Sequence, residues 1–212
     1  MTILIFANGE IADVAWIRPF LPKASLVMAA DGGSRHLYRL NWHPDLVVGD
    51  MDSVSPEILD WLENADVPIR RHDPVKDETD LELALLHARE YGEQILLFGT
   101  LGGRLDHMLA NVLLLAHPSL AASDVQLVEE RERAWLVRDR SQFKAEPGDV
   151  VSLIPVGGDV RVRETEGLRW SLLDSVLDFG LVRGLSNEVT AVSVSIEVVS
   201  GTLLCVHQTT SK

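Results

Sequence analysis

Short apolar runs recur along the first half of the chain, spaced widely enough to leave room for a helix between neighbours. They fall at residues 3–7, 26–30, 46–48, 68–71, 95–98 and 125–128, and read as strands. Between the fourth and fifth runs, Leu81, Ala84, Leu85 and Ala88 recur at helical spacing. Thr79 and Glu82 form a Thr-x-x-Glu capping pattern, so a helix is predicted over residues 79–91. Ser55 followed by Pro56 marks another helix start, with proline at the first helical position. Strand and helix signals that alternate predict a mostly parallel sheet with helices on its faces.

The second half changes character. From about Glu132 the helical periods fade. Val192, Val194, Ile196 and Val198 alternate with Ser193, Ser195 and Glu197, which predicts a strand with one buried face. Ser200-Gly201 then reads as a turn and residues 202–206 as the returning strand. Pro147-Gly148 and Gly157-Gly158 punctuate the runs before it. The expected fold class is α/β. A Rossmann-like, mostly parallel sheet with flanking helices would span residues 1–131, and an all-β, sandwich-like domain residues 132–212.

Composition narrows the classes. Apolar residues make up 46% and charged residues 24%, the balance of a soluble globular protein. The single cysteine, Cys205, has no internal partner, which fits a reducing compartment. The first residues carry no basic leader, and no apolar run approaches a membrane span. A cytoplasmic protein without a membrane partner is expected. The net charge of −13 argues against nucleic acid, which attracts basic surfaces. It does not exclude a polyphosphate, since metal ions and backbone amides can supply the positive charge.

Ligands of an open parallel sheet bind beyond the carboxyl ends of its strands. Four polar segments fall at such ends: Asp31-Gly32-Gly33, Gly49-Asp50-Met51-Asp52-Ser53, Lys76-Asp77-Glu78-Thr79-Asp80, and Gly99-Thr100-Leu101-Gly102-Gly103-Arg104. Asp50 and Asp52, two apart, put both carboxylates on one side of an extended segment. Such a pair suits Mg²⁺, which takes one or two carboxylates together with phosphate oxygens. The plainer alternative is a polar loop in which Asp52 helps to cap the next helix. Asp80 in a first helical turn could simply offset the helix dipole, and Lys76 and Asp77 could be solvated loop charges. Gly32 and Gly33 would let a ligand approach the backbone closely. On the helix starting near Arg104, Arg104, His107 and Asn111 share a polar face, with Asp106 beside it. Leu105, Leu109, Val112 and Ala116 line another face, which should pack on the sheet. Neither Gly-x-x-x-x-Gly-Lys-[Ser/Thr] nor Gly-x-Gly-x-x-Gly occurs, so neither loop would hold a nucleotide here.

Taken in order, Ala7-Asn8-Gly9-Glu10, Ala30-Asp31-Gly32-Gly33, Pro44-Asp45 with residues 49–53, residues 76–80, Gly102-Gly103-Arg104-Leu105-Asp106-His107 with Asn111, and Gly184-Leu185-Ser186-Asn187-Glu188 resemble the thiamine pyrophosphokinase family. The set spans nearly the whole chain. The resemblance implies transfer of a pyrophosphoryl group from ATP, as co-substrate, to the hydroxyl of thiamine, with AMP and thiamine diphosphate as products. It implies Mg²⁺ held by Asp50, Asp52 and Asp80. It implies catalytic roles for these acids, Arg104 and Asp106. An ATP site would comprise Asn8, Asp31, Gly32, Gly33, Lys76, Asp77, Thr79, Gly102 and Arg104, and thiamine contacts Ser186, Asn187 and Asp106. It also implies a homodimer with the active site shared between subunits. Without the resemblance, Ser186-Asn187 reads as a hairpin turn. Some relatives stack an aromatic ring on thiamine. Trp170 is the nearest candidate, although buried packing is the expected role of a lone Trp.

Two other classes fit parts of the pattern. A metal-dependent sugar-nucleotide transferase also uses Asp-x-Asp at a strand end, and UDP-sugars with Mn²⁺ would stabilise it. A non-enzymatic nucleotide- or thiamine-binding module would bind both ligands without turnover, but it has no need of paired metal-binding acids.

Overall fold

In a computed structural model that describes residues 1–92 and 94–210, the apolar runs of the first half become strands. In chain order the elements are β1 (Thr2–Phe6), β2 (Leu26–Ala30), α1 (Ser34–Leu40), β3 (Leu46–Gly49), α2 (Pro56–Asn64), β4 (Ile69–Arg71), α3 (Asp80–Ala88), β5 (Gln94–Phe98), α4 (Leu105–Leu114) and β6 (Asp124–Val128). They belong to the first of two units, Met1–Glu130 and Arg131–Lys212. Within this unit the strand order is β6-β5-β1-β2-β3-β4, and every pairing is parallel. Ile3, Leu4, Ile5 and Phe6 are all fully buried, as a strand covered on both faces requires. The order resembles the 3-2-1-4-5-6 of dinucleotide-binding sheets, but the three strands that follow β1, rather than two, lie on its first side, and the last two, rather than three, on the other. The Rossmann-like expectation therefore holds at the coarser level of a large parallel α/β sheet. The direction of winding reverses between β1 and β5, which makes that gap the switch point of the sheet.

Local signals place two helices. Thr79 caps α3, its Oγ1 accepting the Glu82 N–H at 3.2 Å. Helix α3 ends at Ala88, three residues earlier than the periodicity predicts. Helix α2 begins at Pro56, although Ser55 makes no side-chain cap. Helix α4 departs from expectation. Leu105 and Leu109 are more than half exposed, as is Leu113, and no α4 residue is buried. Helical spacing identifies an apolar face but not what covers it, and the sheet does not cover this one.

The second unit comprises β7 (Glu132–Val137), β8 (Arg140–Lys144), β9 (Val150–Pro155), β10 (Val160–Glu166), β11 (Leu173–Leu177), β12 (Asn187–Glu188), β13 (Ser193–Ser200) and β14 (Leu203–Gln208). Strands run antiparallel in the orders β12-β9-β14-β7 and β11-β10-β13-β8. Val137, Val151, Leu153, Leu203 and Cys205 from the first set form one core with Val160, Val162, Val194, Ile196 and Val198 from the second. This is a sandwich-like arrangement. The alternation over residues 194–198 is borne out, but Val192 is exposed and precedes the strand. The turn at Ser200-Gly201 is not a hairpin. β13 pairs with β8 and β10, whereas β14 pairs with β7 and β9. Period-two alternation fixes which face is buried, not which strand is the neighbour. Burial pushes the Cys205 thiol far above its ordinary pKa, so this sulfur is an inert core atom.

Candidate active site

The carboxyl ends of β2 and β3 carry the acids. β2 runs into a 3-10 turn, Asp31–Gly33, with Asp31 at φ 46°. β3 ends at Gly49, whose φ of 151° and lack of a side chain let two acids close in. A Cβ there would lie 2.8 Å from Asp31 Cβ and 3.2 Å from Asp80 Cγ. Met51 then takes a left-handed φ of 71° and buries its side chain. Its neighbours Asp50 and Asp52 are directed to the rim. The Asp52 N–H donates to Asp50 Oδ1 at 3.0 Å, and Ser53 Oγ donates to Asp52 Oδ1 at 2.9 Å. One carboxylate oxygen each from Asp31, Asp50 and Asp52 lies within 4.8 Å of the others.

Asp31 is 4% exposed, and its Oδ1 has no hydrogen-bond partner. Burial pushes its carboxyl above the ordinary range, opposed by hydrogen bonds from the Gly32 backbone and Ser53 and reinforced by the charges of Asp80 and Asp50. Lys76 Nζ lies 2.6 Å from Asp80 Oδ1. Burial works against the Lys76 charge, but Asp80, Asp50 and Asp31 outweigh it and hold the ammonium above its ordinary pKa. Asn8 is exposed, with its carboxamide against Gly32, where a Cβ would lie 2.5 Å from Asn8 Cγ. Asp77 is exposed, and Thr79 serves as the α3 cap.

Arg104 and Asp106 pair with each other at the start of α4. The guanidinium donates through Nε at 3.1 Å and NH2 at 2.6 Å to the two carboxylate oxygens, and this pairing holds Asp106 below the ordinary carboxylate range. Both side chains are largely exposed. Gly102 and Gly103 precede them in left-handed conformations, at φ 89° and 92°. Asn111 ties α4 to this loop, its Nδ2 donating to the Thr100 carbonyl at 2.8 Å.

In the second unit Asn187 is buried. Its side chain accepts the Trp170 N–H at 3.1 Å and donates to the Trp170 carbonyl at 2.7 Å. Its carboxamide is thus taken up by the backbone at Trp170. Ser186 is exposed at φ 56°, its N–H donating to Ser152 Oγ at 3.1 Å. The expected burial of Trp170 is overturned. The residue is 58% exposed, with the Arg169 guanidinium 5.2 Å from the ring centroid. The bonds to Asn187 hold its backbone while the ring stays accessible.

The structure thus gathers Asp31, Asp50, Asp52, Asp80 and Lys76 at one rim with Asn8 against Gly32. It adds Asp31, expected among the ATP contacts rather than the metal-binding acids, to the close carboxylates. The family pattern also gave no prominence to Arg35, His36 and Arg39 of α1, all of which bond the loop that carries Asn8. A basic cluster at the start of a helix was the available signal.

Comparison with known proteins decides among the classes. The family described as "Thiamin pyrophosphokinase, catalytic domain" matches residues 17–128, and "Thiamin pyrophosphokinase, vitamin B1 binding domain" matches residues 140–203. The chain belongs to the thiamine pyrophosphokinase family. Thiamine pyrophosphokinase 1 of Arabidopsis thaliana is 30% identical over 82% of this chain and 74% of its own. The Bacillus subtilis thiamine pyrophosphokinase is 26% identical over 98% of this chain and 99% of its own. A crystal structure of thiamine pyrophosphokinase from Bacillus subtilis superposes with a TM-score of 0.90 at 24% identity, covering 100% of both chains. At that identity the superposition speaks for the fold.

Proposed function

We propose that this protein transfers the pyrophosphoryl group of ATP to thiamine, giving thiamine diphosphate and AMP. The observation that carries this reading is the carboxylate group Asp31, Asp50 and Asp52, with Asp80 and Lys76 beside it, on the carboxyl rim of a family-matched catalytic unit. In the reaction the thiamine hydroxyl oxygen bonds to the β-phosphorus. The bond from that phosphorus to the oxygen bridging the α-phosphate breaks, AMP leaves, and the hydroxyl proton passes to a rim carboxylate or water. Positioning and charge neutralisation govern such transfers.

The donor set fits Mg²⁺. Three hard oxygen donors lie close together, and Asp31 Oδ1 is buried without a partner. Asp50 and Asp52, with Asp31 and Asp80 beside them, would hold the ion, which neutralises phosphate charge when bound. Lys76 and Arg104 would add charge-assisted bonds to the phosphates. Asn8 and the glycines at 32, 33 and 102 would let the nucleotide lie against backbone. Residues 1–131 would thus serve ATP and metal, and residues 132–212 thiamine, with Ser186 and the accessible ring of Trp170 against it and Asn187 fixing that ring's backbone. Among the described residues no helix is long and apolar enough to cross a membrane, and a cytoplasmic setting suits the buried, unpaired Cys205.

Incubation with ATP, Mg²⁺ and thiamine tests the activity. AMP should appear in step with thiamine diphosphate, and ADP as the coupled product would overturn the assignment. A homodimer with shared sites is part of the same reading. The exposed stripe Leu105, Leu109 and Leu113 supports it, as do exposed Leu173, Phe179 and Leu181. Mixing inactive Asp52→Asn and Ser186→Trp chains should restore activity on co-refolding, because a mixed dimer would keep one intact site. No recovery, or a monomer in sedimentation, would defeat the shared site.

A further inference from the structure

The loop after β1 enters the switch point of the N-terminal sheet. Two backbone bonds hold one side of it. The Ala7 N–H donates to the Phe98 carbonyl at 2.8 Å, and the Gly9 N–H to the Gly99 carbonyl at 2.7 Å. The carbonyls of residues 8, 9, 11 and 12 receive side-chain donors from a single helix, α1. Arg35 NH2 donates to Asn8 O at 2.8 Å and Gly9 O at 2.9 Å. Arg39 donates through NH1 to Ile11 O and through NH2 to Ala12 O, both at 2.7 Å. His36 Nε2 lies 2.9 Å from Gly9 O.

His36 is 1% exposed. Burial first, and then the Arg35 and Arg39 charges, push its pKa down to about 4, so the ring is neutral near pH 7. A carbonyl can only accept, so the single ring proton sits on Nε2. The loop has little room to shift. A Cβ on Gly9 would lie 2.4 Å from the Gly99 carbonyl oxygen and 2.7 Å from that of Leu101. A Cβ on Gly32 would strike the Asn8 carboxamide. The 8–12 and 99–101 loops therefore meet backbone to backbone, and the Asn8 carboxamide lies against the Gly32 backbone.

We propose that Arg35, His36 and Arg39 are positioning residues for the nucleotide: they set where the 8–12 backbone, and with it Asn8, stands against Gly32 and the Gly99 loop. This rests on the functional reading in which Asn8 and Gly32-Gly33 belong to the ATP rim. None of the three need touch substrate. Charge-assisted bonds to a carbonyl fix its position more tightly than neutral ones. Four such bonds from the two arginines, with a fifth from neutral His36, fall on a five-residue loop.

Steady-state kinetics with ATP and thiamine varied separately test this on the full chain, together with the thermal midpoint of each variant. Arg39→Met should raise the KM for ATP about tenfold, the worth of a charge-assisted hydrogen bond, and leave that for thiamine within about twofold. Arg39→Lys, which keeps the charge and one donor, should recover part of the loss. His36→Gln places an amide N–H near the position of Nε2 and should stay within about threefold of wild type, while His36→Leu should follow Arg39→Met. A lowered midpoint with the KM for ATP unchanged would reduce these residues to structural tethers and overturn the proposal, as would equal rises in both KM values. Should the Met and Leu variants fail to fold, Arg39→Lys decides by the same split: a raised KM for ATP with that for thiamine unmoved supports the positioning role, and two unmoved KM values overturn it. A wild-type protein that binds no ATP would defeat the functional reading itself, whereas an active wild type with unmoved variants would defeat only the positioning role.

Discussion

Two aspartates, one in each unit, are almost equally buried and meet opposite fates. Asp31 at the rim of the parallel sheet is 4% exposed, and Asp149 in the sandwich is 2% exposed. Asp149 is well supplied. It accepts from the Glu146 N–H at 3.0 Å, from the Thr210 N–H at 3.0 Å and from His207 Nε2 at 2.9 Å. Burial alone would raise its carboxyl, but these bonds outweigh burial and hold it below the ordinary range. Asp31 keeps one oxygen without a partner, and burial holds its carboxyl above the ordinary range. Surface exposure is nearly the same in both places, but Asp31 is the more strongly desolvated of the two and one of its oxygens lacks a partner. A buried charge that is fully bonded holds structure together. One left short of donors among neighbouring acids is poised to receive something from outside.

The comparison can be broken most directly at the rim. If the acids hold a metal, Asp50→Asn and Asp52→Asn should each cost several orders of magnitude in turnover while the chain stays folded, since metal-borne charge stabilisation is worth several kcal/mol. Near-normal kcat, or loss of the circular-dichroism signal at room temperature, would make these residues structural. The two aspartates should then part company under one substitution. Asp149→Asn should destabilise by about 2–3 kcal/mol in urea unfolding, because charge-assisted bonds are lost inside the protein. Asp31→Asn should be neutral or stabilising in the absence of ligands, because it removes a desolvated charge that faces Asp50 and Asp80 and has one oxygen without a partner. Equal destabilisation by both would erase the distinction.

Acid sharpens it further. A depressed carboxyl contributes stability above its unfolded pKa of about 3.9 and loses it as pH falls through the lower folded value. The gap between wild type and Asp149→Asn should therefore be full at pH 7 and shrink below about pH 4. His36 produces the smallest effect. Its folded pKa of about 4 lies below the free imidazole value, so the unfolded chain takes up the proton first as pH falls. Wild type should lose up to about 1.4 kcal/mol per pH unit between about pH 6.5 and 4 from this group, a slope that His36→Gln lacks. Denaturation at a series of pH values reads both.

Much of this was legible in the sequence. The strand positions of the first half follow from apolar runs bounded by turns, and the start of α3 follows from Thr79 and Glu82. The acids at 50 and 52 announce themselves by spacing. The family resemblance rested on short motifs in order, and the family match now supports it. What was hidden depends on three-dimensional partners. Nothing along the chain says that Asp31 closes on Asp50, because Gly49 makes that approach possible from another strand. Trp170 has its backbone held by the side chain of Asn187, seventeen residues away, while its ring stays exposed. The uncovered apolar face of α4 and the sheet change between β13 and β14 are likewise matters of neighbours rather than of period.

That sheet change has a consequence for synthesis. β14 lies between β7 and β9, and β13 between β8 and β10, so the last two strands are interior members of their sheets. Each pairs with a strand about fifty residues or more earlier, Glu132–Val137 or Arg140–Lys144. On a ribosome, Met1–Glu130 can pair all its parallel strands while the rest is still being made. The sandwich must wait with β7 and β9 unpaired on one side until residues 203–208 emerge. Such late, long-range closure is slow and leaves strand edges open meanwhile. During refolding, the second unit should therefore be the one that aggregates first.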